Sequence, residues 1–211
     1  SGSALYGYSG GTGTSGDPFL ITTAAELNSI GATPALWASY FKLAANINMS
    51  GYTGTSYKII GNYSQHFTGG FDGNGFVTSN LTYTAAVDTD CVGMFGYTDH
   101  AVIKNVQLVN VSISSILGED VGGLIAYQDY GTTTNCSTTG AVSGGTAVGG
   151  LVGHYYGASP AKILNCYSIA SVYATSSRAG GLVGFALGPI SYCYSKGNVS
   201  SGTGTNAYLG G

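Results

Sequence analysis

A glycine-rich motif that recurs about every 30 residues constrains this fold more than any other sequence feature. Residues 121–127 read VGGLIAY, residues 148–154 read VGGLVGH and residues 179–185 read AGGLVGF. A related motif occupies residues 91–97, and the chain stops inside a further copy at residues 208–211. The spacings between the equivalent glycines are 30, 27, 31 and 30 residues, for Gly93, Gly123, Gly150, Gly181 and Gly211. A fixed period of this length predicts a stack of repeated units.

Each repeat carries two further apolar segments after the glycine motif. The second segment covers residues 103–107, 134–137, 164–168 and 191–195, and the third covers 109–113, 140–142, 170–172 and 197–199. Three short β segments per 30 residues, separated by Gly and Ser turns, predict an all-β fold, a parallel β-helix (β-solenoid). The usual hand of parallel crossovers makes it right-handed. An immunoglobulin-like sandwich lacks such a period, and a propeller blade needs about 40–50 residues.

The first 90 residues differ from the repeats. Thr22 or Thr23 followed by Glu26 forms a helix-capping pattern, so a short helix is expected over residues 24–30, with a helical turn near residues 34–40. Residues 1–50 are therefore predicted to form an N-terminal cap and residues 51–90 the first irregular coils. Residues 91–211 are predicted to be tandem repeats of one continuous domain.

The chain is poor in charge and rich in aromatic residues and glycine. Charged residues are 7% of the 211, against about 25% in an average globular protein. The net charge is −3 and the six basic residues are scattered, which argues against nucleic-acid binding. Neither a basic stripe for anionic lipids nor an apolar run of about 18 residues is present in the sequence, so no membrane insertion is expected for this segment.

These motifs resemble the GLUG repeat of large bacterial and archaeal surface proteins and adhesins. The matching residues are the Gly-Gly-Leu-(Val/Ile)-(Gly/Ala) openings and the Asn-Cys-Tyr-Ser type segments. Residues 10–27 are similar to the leader of such repeats, and residues 67–81 to a segment common in them. The resemblance implies a right-handed β-helix in an extracellular or cell-surface protein, and it brings no shared catalytic residues.

Acidic residues are too scattered to indicate an active site. The carboxylates nearest to one another along the repeats are Asp88, Asp90, Asp99, Glu119, Asp120 and Asp129. A glycosidase needs two opposed carboxylates, and nucleophilic catalysis needs a triad that no motif here supplies. We therefore predict no enzyme and no cofactor, and interpret these carboxylates as turn residues. A weak structural Ca²⁺ site among them is the sharper alternative.

Three cysteines occupy equivalent positions in successive repeats: Cys136, Cys166 and Cys193. Coils stacked about 4.8 Å apart bring such residues within disulfide range. Two interpretations stay open, namely a buried ladder of free thiols and a disulfide between one adjacent pair. Cys91 lies outside this register and is expected to be unpaired with these three.

Tyrosines and sequons supply the remaining candidate sites. Tyr is enriched at interfaces, so an aromatic contact surface is predicted, beside a purely structural interpretation, at Tyr127, Tyr130, Tyr155, Tyr156, Tyr192 and Tyr194. Glycosylation is considered, beside chance occurrence of the tripeptide, at Asn48, Asn62, Asn80, Asn110 and Asn198. A sixth sequon, at Asn135, adjoins a cysteine expected to be buried and is therefore the weakest.

The prediction for function is a non-enzymatic structural or adhesive module of a secreted or cell-surface protein. Its partners would be a second copy of the chain, in head-to-tail contact that would build an extracellular filament, or other surface proteins and glycans. The self-assembly edge is predicted at Tyr208, Leu209, Gly210 and Gly211, where the motif is interrupted. Either the native chain continues there or another molecule covers that edge. The alternative function is a polysaccharide-binding or polysaccharide-cleaving β-helix.

Overall fold

The computed structural model describes residues 6–85, 87, 89–202 and 208–210. Parallel strands form a β-solenoid of about five turns with one short helix, as the repeat predicted. In chain order the strands are β1 (Phe19–Ile21), β2 (Tyr40–Leu43), β3 (Ile47–Asn48), β4 (Gly70–Asp72), β5 (Val77–Ser79), β6 (Thr82–Thr84), β7 (Phe95–Asp99), β8 (Val102–Lys104), β9 (Gln107–Ser115), β10 (Asp120–Gly122), β11 (Ile125–Asp129), β12 (Thr132–Thr134), β13 (Ser137–Gly144), β14 (Ala147–Gly149), β15 (Val152–Tyr156), β16 (Lys162–Leu164), β17 (Tyr167–Ser168), β18 (Ser171–Ala174), β19 (Arg178–Gly180), β20 (Val183–Leu187), β21 (Ile190–Ser191), β22 (Tyr194–Ser195), β23 (Val199–Ser201) and β24 (Tyr208–Gly210).

Four parallel sheets form the sides of the solenoid. Sheet A stacks β1, β2, β4, β8, β12, β16 and β21 in chain order, and sheet C stacks β7, β11, β15 and β20. Sheet D stacks β10, β14, β19 and β24, and the remaining strands form sheet B. A full coil therefore visits sheets C, A, B and D in turn. The expectation of three β segments per coil was wrong, because the Gly-Gly pair divides the first segment into a strand on sheet D and a strand on sheet C. The right hand of the coil stays a prediction.

Close packing at the corner between sheets D and C explains the glycine pair of the repeat. A Cβ on Gly149 would lie 1.8 Å from the carbonyl oxygen of Val152. A Cβ on Gly150 would lie 2.3 Å from the carbonyl oxygen of Gly181, which is the equivalent glycine of the next coil. Both distances are far below van der Waals contact. The motif is therefore a steric requirement of a sharp corner stacked on its own copy.

Ladders of equivalent side chains fill the interior. The inward column of sheet A runs through in-register residues of six successive strands, which are Phe19, Phe41, Phe71, Ile103, Thr133 and Ile163. Thr133 is the polar member of this column, and its hydroxyl donates to Gln128 Oε1 over 2.8 Å. The core thus tolerates a hydroxyl in one rung because a buried neighbour accepts its hydrogen bond.

One α-helix, α1 (Ala24–Ala32), covers the interior at the N-terminal end of the stack, followed by a 3₁₀ turn at Pro34–Leu36. The Thr23 hydroxyl accepts a hydrogen bond from the Glu26 backbone N–H, and the Glu26 carboxylate accepts one from the Thr23 backbone N–H, so the predicted capping box is present. The helix buries Leu27 and Ile30 in the same cluster as the solenoid core. The predicted division of the chain at residues 50 and 90 stays a prediction.

Candidate functional site

The outer face of sheet C carries a column of aromatic rings, which we call the aromatic ladder: His66, Tyr97, Tyr127, His154 and Phe185. The last four occupy in-register positions of β7, β11, β15 and β20. The centroids of consecutive rings lie 3.9, 4.6, 4.4 and 4.8 Å apart. Coil stacking alone therefore builds a continuous aromatic stripe parallel to the solenoid axis.

The first three rings of this ladder stack face to face, whereas His154 meets Phe185 edge-on. The planes of His66 and Tyr97 differ by 14°, and those of Tyr97 and Tyr127 by 13°. At the far end, the guanidinium of Arg178 lies 4.3 Å from the centroid of the Phe185 ring. Since a sugar ring would need an open aromatic face, the ladder's first effect is to tie adjacent coils together.

Carboxylates flank the ladder and hold its polar groups. Tyr63 donates its hydroxyl to Asp120 Oδ2 over 3.0 Å, and His154 Nδ1 lies 3.2 Å from the other oxygen of that carboxylate. Tyr97 donates to Asp129 Oδ2 over 3.4 Å. Burial raises the pKa of Tyr97, and the charge of Asp129 adds to that shift, so the phenol keeps its proton and remains a donor.

Further acidic side chains of the first two repeats form hydrogen bonds and ion pairs with protein groups. Asp90 accepts a hydrogen bond from the Glu119 backbone N–H over 2.8 Å, and Asp99 pairs with His66 and His100. No group of three His, Cys, Asp or Glu side chains suited to a metal ion occurs in the described part of the chain. Asp88 lies outside the described residues. The Ca²⁺ alternative stays a prediction without an assigned ligand set.

The predicted aromatic contact surface does not form one surface. Tyr127 belongs to the aromatic ladder, and Tyr130 lies at the corner between sheets C and A, 5.7 Å from Tyr156 by ring centroids. Tyr192 is strongly exposed at a corner of the last coil, and Tyr194 stacks on Tyr167 of sheet B. The five predicted tyrosines in this paragraph, which exclude Tyr167, therefore lie on at least three sides of the solenoid. A contact role for each of them remains a prediction.

Tyr155 is a correction to that prediction, because it is fully buried. Its register neighbours are Gln128 and Ala186, whereas those of His154 are Tyr127 and Phe185. Adjacent residues of a strand point to opposite sides, so His154 and Tyr156 face outward while Tyr155 faces the interior. The local sequence His-Tyr-Tyr has no alternation of polarity from which this could be read.

The three equivalent cysteines stack in successive coils as free thiols. Backbone N–H groups bind the sulfur of the following coil, from Cys136 to Cys166 Sγ over 3.4 Å and from Cys166 to Cys193 Sγ over 3.3 Å. Cys91 is also free, and lies apart from them beside Tyr97 and Ala126. Burial raises the pKa of the Cys91 thiol to about 12.

This arrangement predicts how readily each cysteine is modified by a thiol reagent. At pH 8 we expect iodoacetamide to modify Cys193 slowly and to leave Cys91, Cys136 and Cys166 intact in the folded chain. Only Cys193 is partly accessible, and burial raises the pKa of Cys91 and Cys136, which leaves them little reactive thiolate. The hydrogen bond with Cys136 lowers the pKa of Cys166, so this thiol is protected by its burial alone. Mass spectrometry of peptides before and after denaturation measures it. Rapid labelling of Cys91 in the folded protein would contradict the placement.

Asparagines form two hydrogen-bonded ladders at the corners of the coils. Asn80 donates its side-chain amide to Asn48 Oδ1 over 3.0 Å, and Asn110 donates to Asn80 Oδ1 over 2.7 Å. On another corner, Asn135 donates to Asn105 and Asn105 donates to Asp72. Most ladder members have positive φ, which Asn tolerates better than other non-glycine residues.

The first asparagine ladder gives three of the predicted sequons a structural role. Its amide nitrogens, on Asn80 and Asn110, are the atoms that glycosylation would modify, and both already donate within the ladder. Asn62 is exposed, and its Oδ1 accepts from the backbone of Ser64 and Gln65. Asn198 is exposed next to β23. Glycosylation at any of these positions stays a prediction.

The last coil exposes interior positions. Leu182 and Val183 are partly exposed, whereas their counterparts Leu151 and Val152 of the preceding coil are fully buried. Strand β24 pairs with β19 and provides the described part of the predicted edge, while Gly211 lies outside the described residues. Another β coil placed there would complete the burial, whether it belongs to the same polypeptide or to a second molecule.

A groove on the outer face of sheet A was missed by the sequence interpretation. It lies between the loop of residues 15–18 and the loop of residues 159–161, and includes Tyr40, Lys42, Lys104 and Tyr130. The loops come from distant coils, so their proximity to one sheet face is a product of stacking. One signal was present, since residues 157–161 take the place of only residues 130–131 in the preceding coil.

Comparison with known proteins supports the repeat assignment. Residues 144–173 match the family model described as the GLUG motif, so the predicted motif is confirmed for that coil. Halomucin of Haloquadratum walsbyi is 36% identical over 162 residues, which is 72% of this chain and 2% of halomucin. A protein named as a Gly-rich membrane protein, of Evansella cellulosilytica, is 28% identical over 135 residues, which is 62% of this chain and 15% of that protein.

The chain therefore spans a small part of the relatives it matches. A solved structure from Bacteroides ovatus, described as an immunoglobulin A1 protease, aligns with 94% of this chain and 87% of its own, at 16% identity and a TM-score of 0.43. That similarity is too low to carry an argument about activity. Over the described ranges, no helix has both the length and the apolar character required to cross a membrane.

Proposed function

We propose that this chain, a β-solenoid that carries a GLUG motif, is a non-enzymatic structural and adhesive module of a secreted or cell-surface protein. The observation that carries the proposal is the set of ladders that run along the solenoid axis. Aromatic, thiol and amide side chains that could bind a ligand or react are instead stacked on, or hydrogen-bonded to, the equivalent residues of neighbouring coils. Such stacking favours a stiff rod with long outer faces, suited to presenting surfaces rather than to enclosing a substrate.

The similarity to proteins named as halomucin and as a membrane protein supports a surface location. The test uses the full protein in the cells that produce it. We expect an antibody against residues 91–202 to label intact cells, and external protease to remove that signal. A cytoplasmic marker serves as the control for lysis. Labelling that appears only after the cells are broken would contradict the surface location.

The adhesive part of the proposal needs its own measurement. We expect that deletion of the region from the full protein lowers attachment of the cells to surfaces or to one another while the protein is still exported. Deleting whole coils is preferable to point changes, because neighbouring coils contact only one another. Unchanged attachment of such cells would leave a purely structural role.

End-to-end association is a further part of the proposal, supported by the partly exposed Leu182 and Val183 of the last coil. Isolated chains of residues 1–211 are expected to associate with rising concentration in light scattering. Leu182→Lys should weaken this association, because it places a charge on the surface that a neighbouring coil would cover. Val109→Lys, on the exposed side of sheet B, is the matched control. Strictly monomeric wild-type particles at high concentration would contradict end-to-end association.

A further inference from the structure

The groove on the outer face of sheet A is a concave surface that extends along the stack of coils. It consists of two adjoining depressions of about 380 and 390 Å³ that share Val102. Ser15, Gly16 and Pro18 border one end, and Ser159 and Pro160 border the other. The depressions extend over several coils, so an occupant that fills both must be elongated along the solenoid axis.

Three charged residues form a column inside the first depression. Lys42, Asp72 and Lys104 are in-register residues of β2, β4 and β8. Asp72 accepts hydrogen bonds from the Asn105 side chain and the Asn74 backbone, and Lys104 Nζ lies 3.3 Å from its other oxygen. Burial alone would raise the pKa of Asp72, but these hydrogen bonds and the Lys104 charge lower it. The column therefore places two cations around one carboxylate that is ionised at neutral pH.

Lys42 is the cation of this column that remains available. Within the described ranges, no carboxylate oxygen lies within 4.0 Å of its Nζ, whereas Lys104 is held by Asp72. A lysine ammonium has three donors and readily forms charge-assisted hydrogen bonds with carboxylates. In a chain with only six basic residues, two of them lining one groove favours an anionic ligand.

Aromatic rings with free surface line both depressions. The Tyr40 ring lies over Gly70, where a Cβ would be only 2.5 Å from its Cδ1, and the side chain remains 37% exposed. In the second depression, the rings of His100 and Tyr130 stack at 5.0 Å, and His100 is largely exposed. Among the described residues, Tyr40 contacts no other aromatic ring and His100 contacts only Tyr130, so each keeps a ring face that can take the C–H face of a sugar ring.

From these contacts we propose that the sheet A groove binds an acidic polysaccharide whose sugar rings carry carboxylates. Lys42 and Lys104 bind the carboxylates, Tyr40 stacks on a sugar ring, and the hydroxyls of Thr132 and Ser159 accept or donate hydrogen bonds to ring hydroxyls. A polyphosphate is disfavoured, because two lysines offset by Asp72 neutralise little backbone charge. The inference rests on the proposed adhesive function and names the ligand class for it.

The experiment is isothermal titration calorimetry, in which oligogalacturonate is added to the purified chain. We expect binding that weakens as salt rises, and an affinity at least about tenfold lower for the double variant Lys42→Ala/Lys104→Ala. The double variant Lys58→Ala/Lys196→Ala removes the same charge elsewhere and should bind like the wild type. Neutral cello-oligosaccharide of equal length should not bind.

A second pair of variants tests the stacking contact. Tyr40→Ala should lower the affinity by about tenfold, Tyr40→Phe should retain it, and Tyr173→Ala on the outer side of sheet B should have no effect. Thermal melting of each variant checks that folding is intact, which is expected because these side chains lie outside the core.

No oligogalacturonate binding by the wild type, or equal loss by the groove and control variants, would overturn the inference. Preference for a sulfated oligosaccharide over the carboxylated one would overturn the assigned ligand class. This outcome is distinguishable from failure of the proposed function, which antibody labelling of intact cells decides. If the chain is exposed on the cell surface but does not bind oligogalacturonate, only the assignment of the groove is wrong.

Discussion

Replacing Gly149 with alanine is expected to destabilise the chain by about 3 kcal/mol, the upper part of the range for overpacking a tightly packed position. The new methyl group would lie 1.8 Å from the Val152 carbonyl oxygen, which is backbone and cannot move aside like a flexible side chain. Chemical denaturation followed by circular dichroism measures the change in the free energy of unfolding. Gly51→Ala is the matched control, because its Cβ meets no atom within 4 Å.

Hydrogen exchange shows which coils are destabilised in the Gly149→Ala variant. Coils of a solenoid contact only their neighbours, so Gly149→Ala should speed exchange in β14 and β15 and in the coils on either side. The capped N-terminal end, including α1, should keep its protection. A stability equal to that of Gly51→Ala would show that the corner can relax, and the steric account of the repeat would then be wrong.

Phe71→Ala is the second large effect we expect, with a loss of about 3–5 kcal/mol, typical of removing a buried phenylalanine. Phe71 is in register with Phe41 and Ile103 in the inward column of sheet A, and its ring meets that of Phe95 edge-on at 5.5 Å. Truncation leaves a cavity bounded by other coils, which cannot collapse without shifting the sheet register.

The matched control for Phe71→Ala is Val109→Ala, which removes an exposed apolar side chain from the outer side of sheet B. Its effect should stay within about 0.5 kcal/mol, as for most surface substitutions. Both variants are compared by the denaturant midpoint of the same transition. A loss below about 1 kcal/mol for Phe71→Ala would mean that the inward column does not carry the core.

The repeat and the capping box were readable from sequence because each depends on residues close together in the chain. Gly149 and Gly150 mark the corner, and Thr23 with Glu26 marks the start of α1. The number of sides of a coil was not readable, since the glycine pair was taken as one segment when it separates two strands. Sequence periodicity locates corners but does not count the strands between them.

Site residues were harder to predict because orientation and distant contacts decide them. Tyr155 and Tyr156 are adjacent and identical, yet one is buried and the other is exposed, and only the register with the neighbouring coils distinguishes them. The sheet A groove depends on loops near Ser15 and Ser159, which the sequence separates by most of the chain. The ladders of asparagine and aromatic rings could be recognised only once the coils were placed in register.

Parallel pairing on four sheets also determines how the molecule responds to mechanical load. The hydrogen bonds between coils are directed along the stacking axis, because strands pair across that direction. A pull along the axis would therefore stretch the bonds of all four sheets at a coil boundary together, and failure there would separate whole coils. Bending would instead load the boundary on one side, so a rod built this way resists tension better than it resists peeling from an end.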